Sequence, residues 1–140
     1  MNLLLDTNVL SEVRRRDPDP RLLAWLDRVD EDRAFISVLS IAEIARGVAL
    51  MKEGRRRTSL AAWLAHDLPA RFAERILPID ADIAARCGDL MAHSKTIGAA
   101  LSVMDGLFAA TALAGGLTLV TRNVRDFASF DVPLLNPWDD

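Results

Sequence analysis

Leu3-Leu4-Leu5-Asp6-Thr7-Asn8 lies two residues into the chain. Three successive leucines do not make the one-sided stripe of a surface helix. They suit a short strand buried on both faces, as in a parallel sheet. The run ends abruptly in an acid, a hydroxyl and an amide. In an open α/β sheet, ligand chemistry collects beyond the carboxyl ends of the strands, and Asp6 is expected there. Asp is also a good helix N-cap. Alone, this stretch does not choose between a cap and a catalytic carboxylate.

Outward from it, helical and strand patterns alternate. Asn8 to Arg16 reads as a short helix ending in three arginines, and Asp17-Pro18-Asp19-Pro20 as a turn. Residues 20–29 form an amphipathic helix with Leu22, Trp25, Leu26 and Val29 at helical spacing. Ala34-Phe35-Ile36-Ser37 is a second strand. A helix from about Val38 to Glu53 follows, with Ile41, Ile44, Ala45 and Val48 on one face, Glu43 roughly opposite and Gly54 as its stop. A further helix carries Leu60, Trp63, Leu64 and Leu68 and is interrupted near Pro69. These two helices are expected to form a hairpin projecting from the sheet. Arg55-Arg56-Arg57 at their junction reads as a solvated turn, with a nucleic-acid contact as the alternative.

Ile76 to Ile79 is a third short strand, and Asp80 opens a helix with Ile83, Cys87, Leu90 and Met91 on one face, ending near Gly98. A helix from about Val103 to Ala114 stops at Gly115-Gly116. Leu117 to Thr121 is a fourth strand, and Pro133-Leu134-Leu135 a last edge strand. The alternation indicates an α/β fold: a central parallel sheet flanked by helices, in one domain spanning residues 1–140.

Composition narrows the chemistry. Seventeen basic and twenty acidic side chains leave a net charge of −3, so nucleic acid would have to be met by a local basic patch. One cysteine, Cys87, rules out an internal disulfide framework and a cysteine-rich zinc site. A free thiol suits a reducing cytoplasm. His66 and His93 are not in zinc-binding spacing, and no Walker loop, G-x-S-x-G or G-x-G-x-x-G occurs. No signal peptide or membrane span is expected.

What remains is oxygen chemistry. Asp6 follows the first strand, Glu43 lies in the first turns after the second, Asp105 begins the helix before the fourth, and Asn123 and Asp126 follow the fourth. Carboxylates are the ligands Mg²⁺ and Mn²⁺ prefer. Three carboxylates converging without a cation would raise one another's pKa. With metal bound, such a cluster can activate water and stabilise a phosphodiester transition state. A plainer reading stays open for two of them. Ser40-Ile-Ala-Glu43 matches a capping box and Ser102-Val-Met-Asp105 resembles one.

The motifs taken in order carry a resemblance. Leu-Asp-Thr-Asn at 5–8, Ser-Val-Leu-Ser-Ile-Ala-Glu-Ile-Ala-Arg-Gly around Glu43, Asp105-Gly-Leu-Phe-Ala-Ala-Thr-Ala, Leu-Val-Thr-Arg-Asn at 119–123 and Leu-Asn-Pro-Trp at 135–138 together resemble the PIN-domain family. The similarity covers nearly the whole chain and is greatest to the VapC- and FitB-like toxins of bacterial toxin–antitoxin pairs. It implies a metal-dependent endoribonuclease with an acidic pocket at the carboxyl edge of a parallel sheet. In that pattern Asp6, Glu43 and Asp105 match the acids holding Mg²⁺ or Mn²⁺. Thr7 and Asn8 match the polar neighbours of the first acid, and Thr121 the hydroxyl near the pocket. It also implies an RNA substrate, a cognate antitoxin, and a homodimer or toxin–antitoxin hetero-oligomer. Asn123 departs from the pattern, because many relatives have an acid there. If a short helix starts at residue 123, Asp126 shares its face and is the nearest substitute. Two other readings stay open: a catalytically weak PIN-like interaction module, and another α/β phosphotransfer fold. A phosphatase would want Asp-x-Asp where this chain has Asp6-Thr7-Asn8.

Overall fold

The computed structural model describes residues 1–139. Five parallel strands, β1 (Leu3–Leu5), β2 (Ala34–Ser37), β3 (Ile76–Leu77), β4 (Thr118–Val120) and β5 (Leu134–Leu135), form one sheet in the order β3-β2-β1-β4-β5. β1 is central, with Leu3 paired to both Ala34 and Thr118. Side chains alternate across a strand, so its three leucines serve two cores. Leu3 and Leu5 join Val9, Leu10, Leu22, Trp25 and Ile36 on one face, and Leu4 joins Phe108, Ala112, Leu119 and Phe127 on the other. That is why the run is apolar at every position. Burying a leucine fully contributes about 1.5–3 kcal/mol, and Leu4 is completely buried.

Helices α1 (Thr7–Glu12) and α2 (Pro20–Arg28) follow β1. α1 ends earlier than the expected Arg16, because the chain turns at Val13. The buried Glu12 carboxylate accepts from the Asp19 amide at 3.1 Å and pairs with Arg15 at 3.3 Å, which ties this turn down. Asp19 caps α2 by accepting from the Arg21 amide, with Pro20 at its first position.

α3 (Val38–Leu50) and α4 (Arg55–Ala62) make the hairpin, whose tip is exposed. Two details of α3 differ from the expectation. It closes at Leu50 with Met51 extended, and Gly54 instead stands before α4 as its N-cap. Its buried side runs through Ser40 and Ile44, while Ala45 is exposed and Glu43 is half-buried beside that stripe instead of opposite it. Beyond α4, residues Trp63–Asp67 form a π-helical turn before α5 (Leu68–Arg71). Pro69 explains it. A proline inside an α-helix lacks its donor, and its ring meets the carbonyl four residues earlier. The Leu68 amide donates back to Trp63 five residues away, widening the turn just before the ring.

α6 (Ala81–Thr96) and α7 (Val103–Gly115) pack together across Ile83, Cys87 and Ala110. Gly116 ends α7 at φ 63°, a left-handed conformation that favours glycine. The short α8 (Val124–Phe127) follows β4, with Asn123 at its N-cap position.

Candidate active site

β1 carries Asp6 to the carboxyl edge of the sheet. The Asp6 amide still donates to the Val120 carbonyl at 2.9 Å, one residue beyond the strand, and the chain then turns into α1. The cap and the site prove compatible because a carboxylate has two oxygens. Oδ1 accepts from the Thr7 amide at 2.7 Å, capping α1. Oδ2 accepts from the Thr121 hydroxyl at 2.7 Å and the Asn8 side-chain Nδ2 at 3.2 Å. Thr121, fully buried just past β4, also accepts from the Asn123 amide at 3.0 Å.

Glu43 reaches this cluster through Thr7. The Thr7 hydroxyl donates to Glu43 Oε1 at 2.6 Å and lies 2.8 Å from Ser40 Oγ. Its one proton is committed to the carboxylate, so Ser40 is the donor in the second bond. The capping-box reading of Ser40 and Glu43 therefore does not hold. Ser37 caps α3 through the Leu39 amide, and Glu43 lies in the helix's second turn. Ser40, completely buried, supports Thr7; only its spacing of three from Glu43 hinted at a role. The reading of Asp105 fares differently. Ser102 does cap α7, accepting from the Asp105 amide at 3.1 Å, and the Asp105 side chain is half-buried.

Electrostatics link the acids. Burial pushes the Asp6 carboxyl up from its ordinary value; the Thr121 and Thr7 hydrogen bonds oppose this, and the Glu43 and Asp105 charges reinforce it. Burial also raises Asp105; the Ser102 bond opposes, and the Asp126 and Glu43 charges reinforce. Asp6, Glu43, Asp105 and Asp126 thus share one field, although Asp126 itself is exposed. Asn123 is exposed, and its side chain makes no cap bond to α8.

The donor set is all oxygen, which suits a hard divalent cation. Two observations favour such an ion. Asp6 is only 8% exposed and forms no salt bridge among the described residues. Asn8 Oδ1 is buried with no donor. Among the described residues no three acids or histidines stand close enough to cage an ion directly. Mg²⁺ is commonly held by one or two carboxylates, with water in its remaining positions. A cavity of about 410 Å³ opens beside Glu43, lined by Ala42, Arg46 and Met104.

Fold and site together define an α/β protein with electrostatically linked carboxylates where the sheet's carboxyl edge meets the starts of its helices. The chain belongs to the PIN domain family, which matches residues 3–133. It is 39% identical over 138 residues to "Toxin FitB" of Neisseria gonorrhoeae, covering 99% of each chain. It is 37% identical over 137 residues to "VapC ribonuclease Y4jK" of Sinorhizobium fredii, covering 98% of each. The crystal structure of FitAcB from Neisseria gonorrhoeae superposes with a TM-score of 0.92 at 39% identity, covering 97% of this chain and 98% of that one. The resemblance drawn from the motifs is therefore borne out at the level of family and fold.

Proposed function

We propose that this protein is a metal-dependent endoribonuclease toxin that hydrolyses RNA phosphodiester bonds and is held in check by a cognate antitoxin. The observation that carries the reading is Asp6, a buried carboxylate fixed by three donors, its pKa raised by burial and further by the charges of Glu43 and Asp105, and without a salt bridge among the described residues. Relatives named as a toxin and as a ribonuclease support it. Asp6, Glu43 and Asp105 would hold Mg²⁺ or Mn²⁺, with Asn123 or Asp126 filling the fourth position. The bound ion supplies an activated water and neutralises charge on the scissile phosphate. Thr121 and Asn8 keep the Asp6 carboxylate aimed, while Thr7 and Ser40 hold Glu43 against it. No histidine and no 2′-hydroxyl is needed for this chemistry.

A toxin of this kind acts in the cytoplasm as a homodimer or a toxin–antitoxin hetero-oligomer. Among the described residues no helix is long and apolar enough to cross a membrane. The test is cleavage of single-stranded RNA with Mg²⁺, with Mn²⁺ and with neither. Expression of the chain alone should slow growth, and Asp105→Ala should relieve it. Equal growth arrest by the two proteins would exclude the nuclease as its cause. A folded wild type that cuts nothing with either metal would leave the interaction-module reading in its place.

A further inference from the structure

A second cavity, of about 210 Å³, opens off Glu43 between α1, α3 and the hairpin's second helix, and its lining includes Thr7, Arg14, Glu43, Arg56 and Trp63. Its lining carries both signs of charge among apolar side chains such as Ile44, Val48 and Leu60. Thr7 and Glu43 belong to the acidic site. Arg56 donates through Nη2 to the Arg14 carbonyl, and the Arg14 guanidinium lies over Trp63, 5.4 Å from the ring centroid. Arg14 also donates to Ser59 Oγ at 3.3 Å.

Neither arginine has a carboxylate partner among the described residues. Arg14 Nε is buried with no acceptor at all. A buried donor left unmade is costly; Arg14 is half-buried, and the exposed Arg56 brings a second guanidinium without a carboxylate partner among the described residues to the same lining. Stacking on Trp63 and the bond to Ser59 fix the Arg14 plane in advance, so little rotamer freedom is lost when an anion arrives. Planar guanidinium groups suit phosphate oxygens, which they can grip in pairs.

We propose that this cavity is a subsite for a backbone phosphate of single-stranded RNA, flanking the bond held at Asp6 and Glu43. The choice of polymer rests on the ribonuclease reading. The cavity shares Thr7 and Glu43 with the acidic site, so a strand crossing one enters the other. The chain's net charge of −3 also means that RNA must be gripped by a local basic patch. Arg56 lies in the middle of the arginine run that the sequence reads as a solvated turn or, alternatively, as a nucleic-acid contact, and the second reading thereby gains a specific place.

The test is fluorescence anisotropy of a short single-stranded RNA without divalent cation, over a range of salt, for the wild type, Arg14→Gln, Arg56→Gln and Arg86→Gln. Arg86 pairs with Asp82 on α6 and controls for the loss of one charge. Arg14→Gln and Arg56→Gln should each weaken binding about tenfold and flatten the log–log salt slope by about 0.7, the value for one lost contact to a single strand. Arg86→Gln should change neither. Unchanged affinity and slope in both test variants would overturn the subsite, as would equal losses in all three. If Arg14→Gln fails to fold, Arg56→Gln decides, since Arg56 is exposed. Cleavage by the wild type is assayed separately. Arginine-dependent binding without cleavage removes the nuclease reading and keeps the subsite; cleavage without arginine-dependent binding does the reverse.

Discussion

Asp6 uses one oxygen to cap α1 and the other to receive Thr121 and Asn8. Its raised pKa has a sign that can be worked out. Between the ordinary carboxylate value and the raised one, the folded chain binds more protons than the unfolded chain. Unfolding free energy therefore falls as pH rises through that window and stays lower above it. Asn caps a helix as well as Asp and carries no charge to desolvate. Asp6→Asn should thus lose cleavage while melting higher than the wild type at pH 7 without divalent cation. Paired calorimetry and cleavage assays check both halves; a lower melting temperature would mean that the charge stabilises the fold. The fourth position is open to a similar dissection. Asp126 acts on Asp105 through its charge, whereas Asn123 opens α8 and donates its backbone amide to Thr121. Asp126→Asn should raise the metal concentration needed for half-maximal cleavage, and Asn123→Asp should lower it. A metal titration in which only Asn123→Asp shifts would make Asp126 a bystander.

Among the elements, the contact between α6 and α7 is the most sharply constrained. A methyl group placed on Gly106 would stand 2.9 Å from Cys87 Sγ and 3.4 Å from Met91 Cγ. Gly106→Ala should therefore cost about 1–3 kcal/mol as an overpacked core does. The same change in a Cys87→Ala background should cost less, because the sulfur is gone. Urea denaturation of the two single variants and the double variant measures this coupling; strict additivity would refute the clash. Elements with one strong local signal were legible from sequence: β1 from its leucines, α2 from Asp19-Pro20, α7 from its Gly-Gly stop. Others depended on contacts beyond their own residues. Ser37 and Ser40 both offer a hydroxyl near the start of α3, and the end of β2 decides that Ser37 is the cap. The close of α3 at Leu50 was not legible either, because Met51, Lys52 and Glu53 are acceptable helix formers. Within the site, the order of the acids could be read. The relay from Thr7 to Ser40 could not, since it joins residues 33 apart.

At the scale of the whole molecule, a cation bound only by the folded chain must stabilise all of it. Mn²⁺ at a hundred times its dissociation constant should add about 2.7 kcal/mol to wild-type stability. The effect should vanish in Asp105→Ala. Thermal melts with and without the ion read this without any substrate, and an unmoved wild type would argue against a resident metal. The sheet order has another consequence, in the time course of synthesis. β1 is the first strand to be made, yet one of its two neighbours is β4. The bond that secures Asp6 comes from Thr121, 115 residues later. At about 5–20 residues per second on the ribosome, Asp6 waits some 6 to 23 s for its partner. A nascent chain therefore carries Asp6 through 115 further residues before the hydroxyl that secures it is made. The carboxylate on which the proposed reaction depends is made early and fixed late.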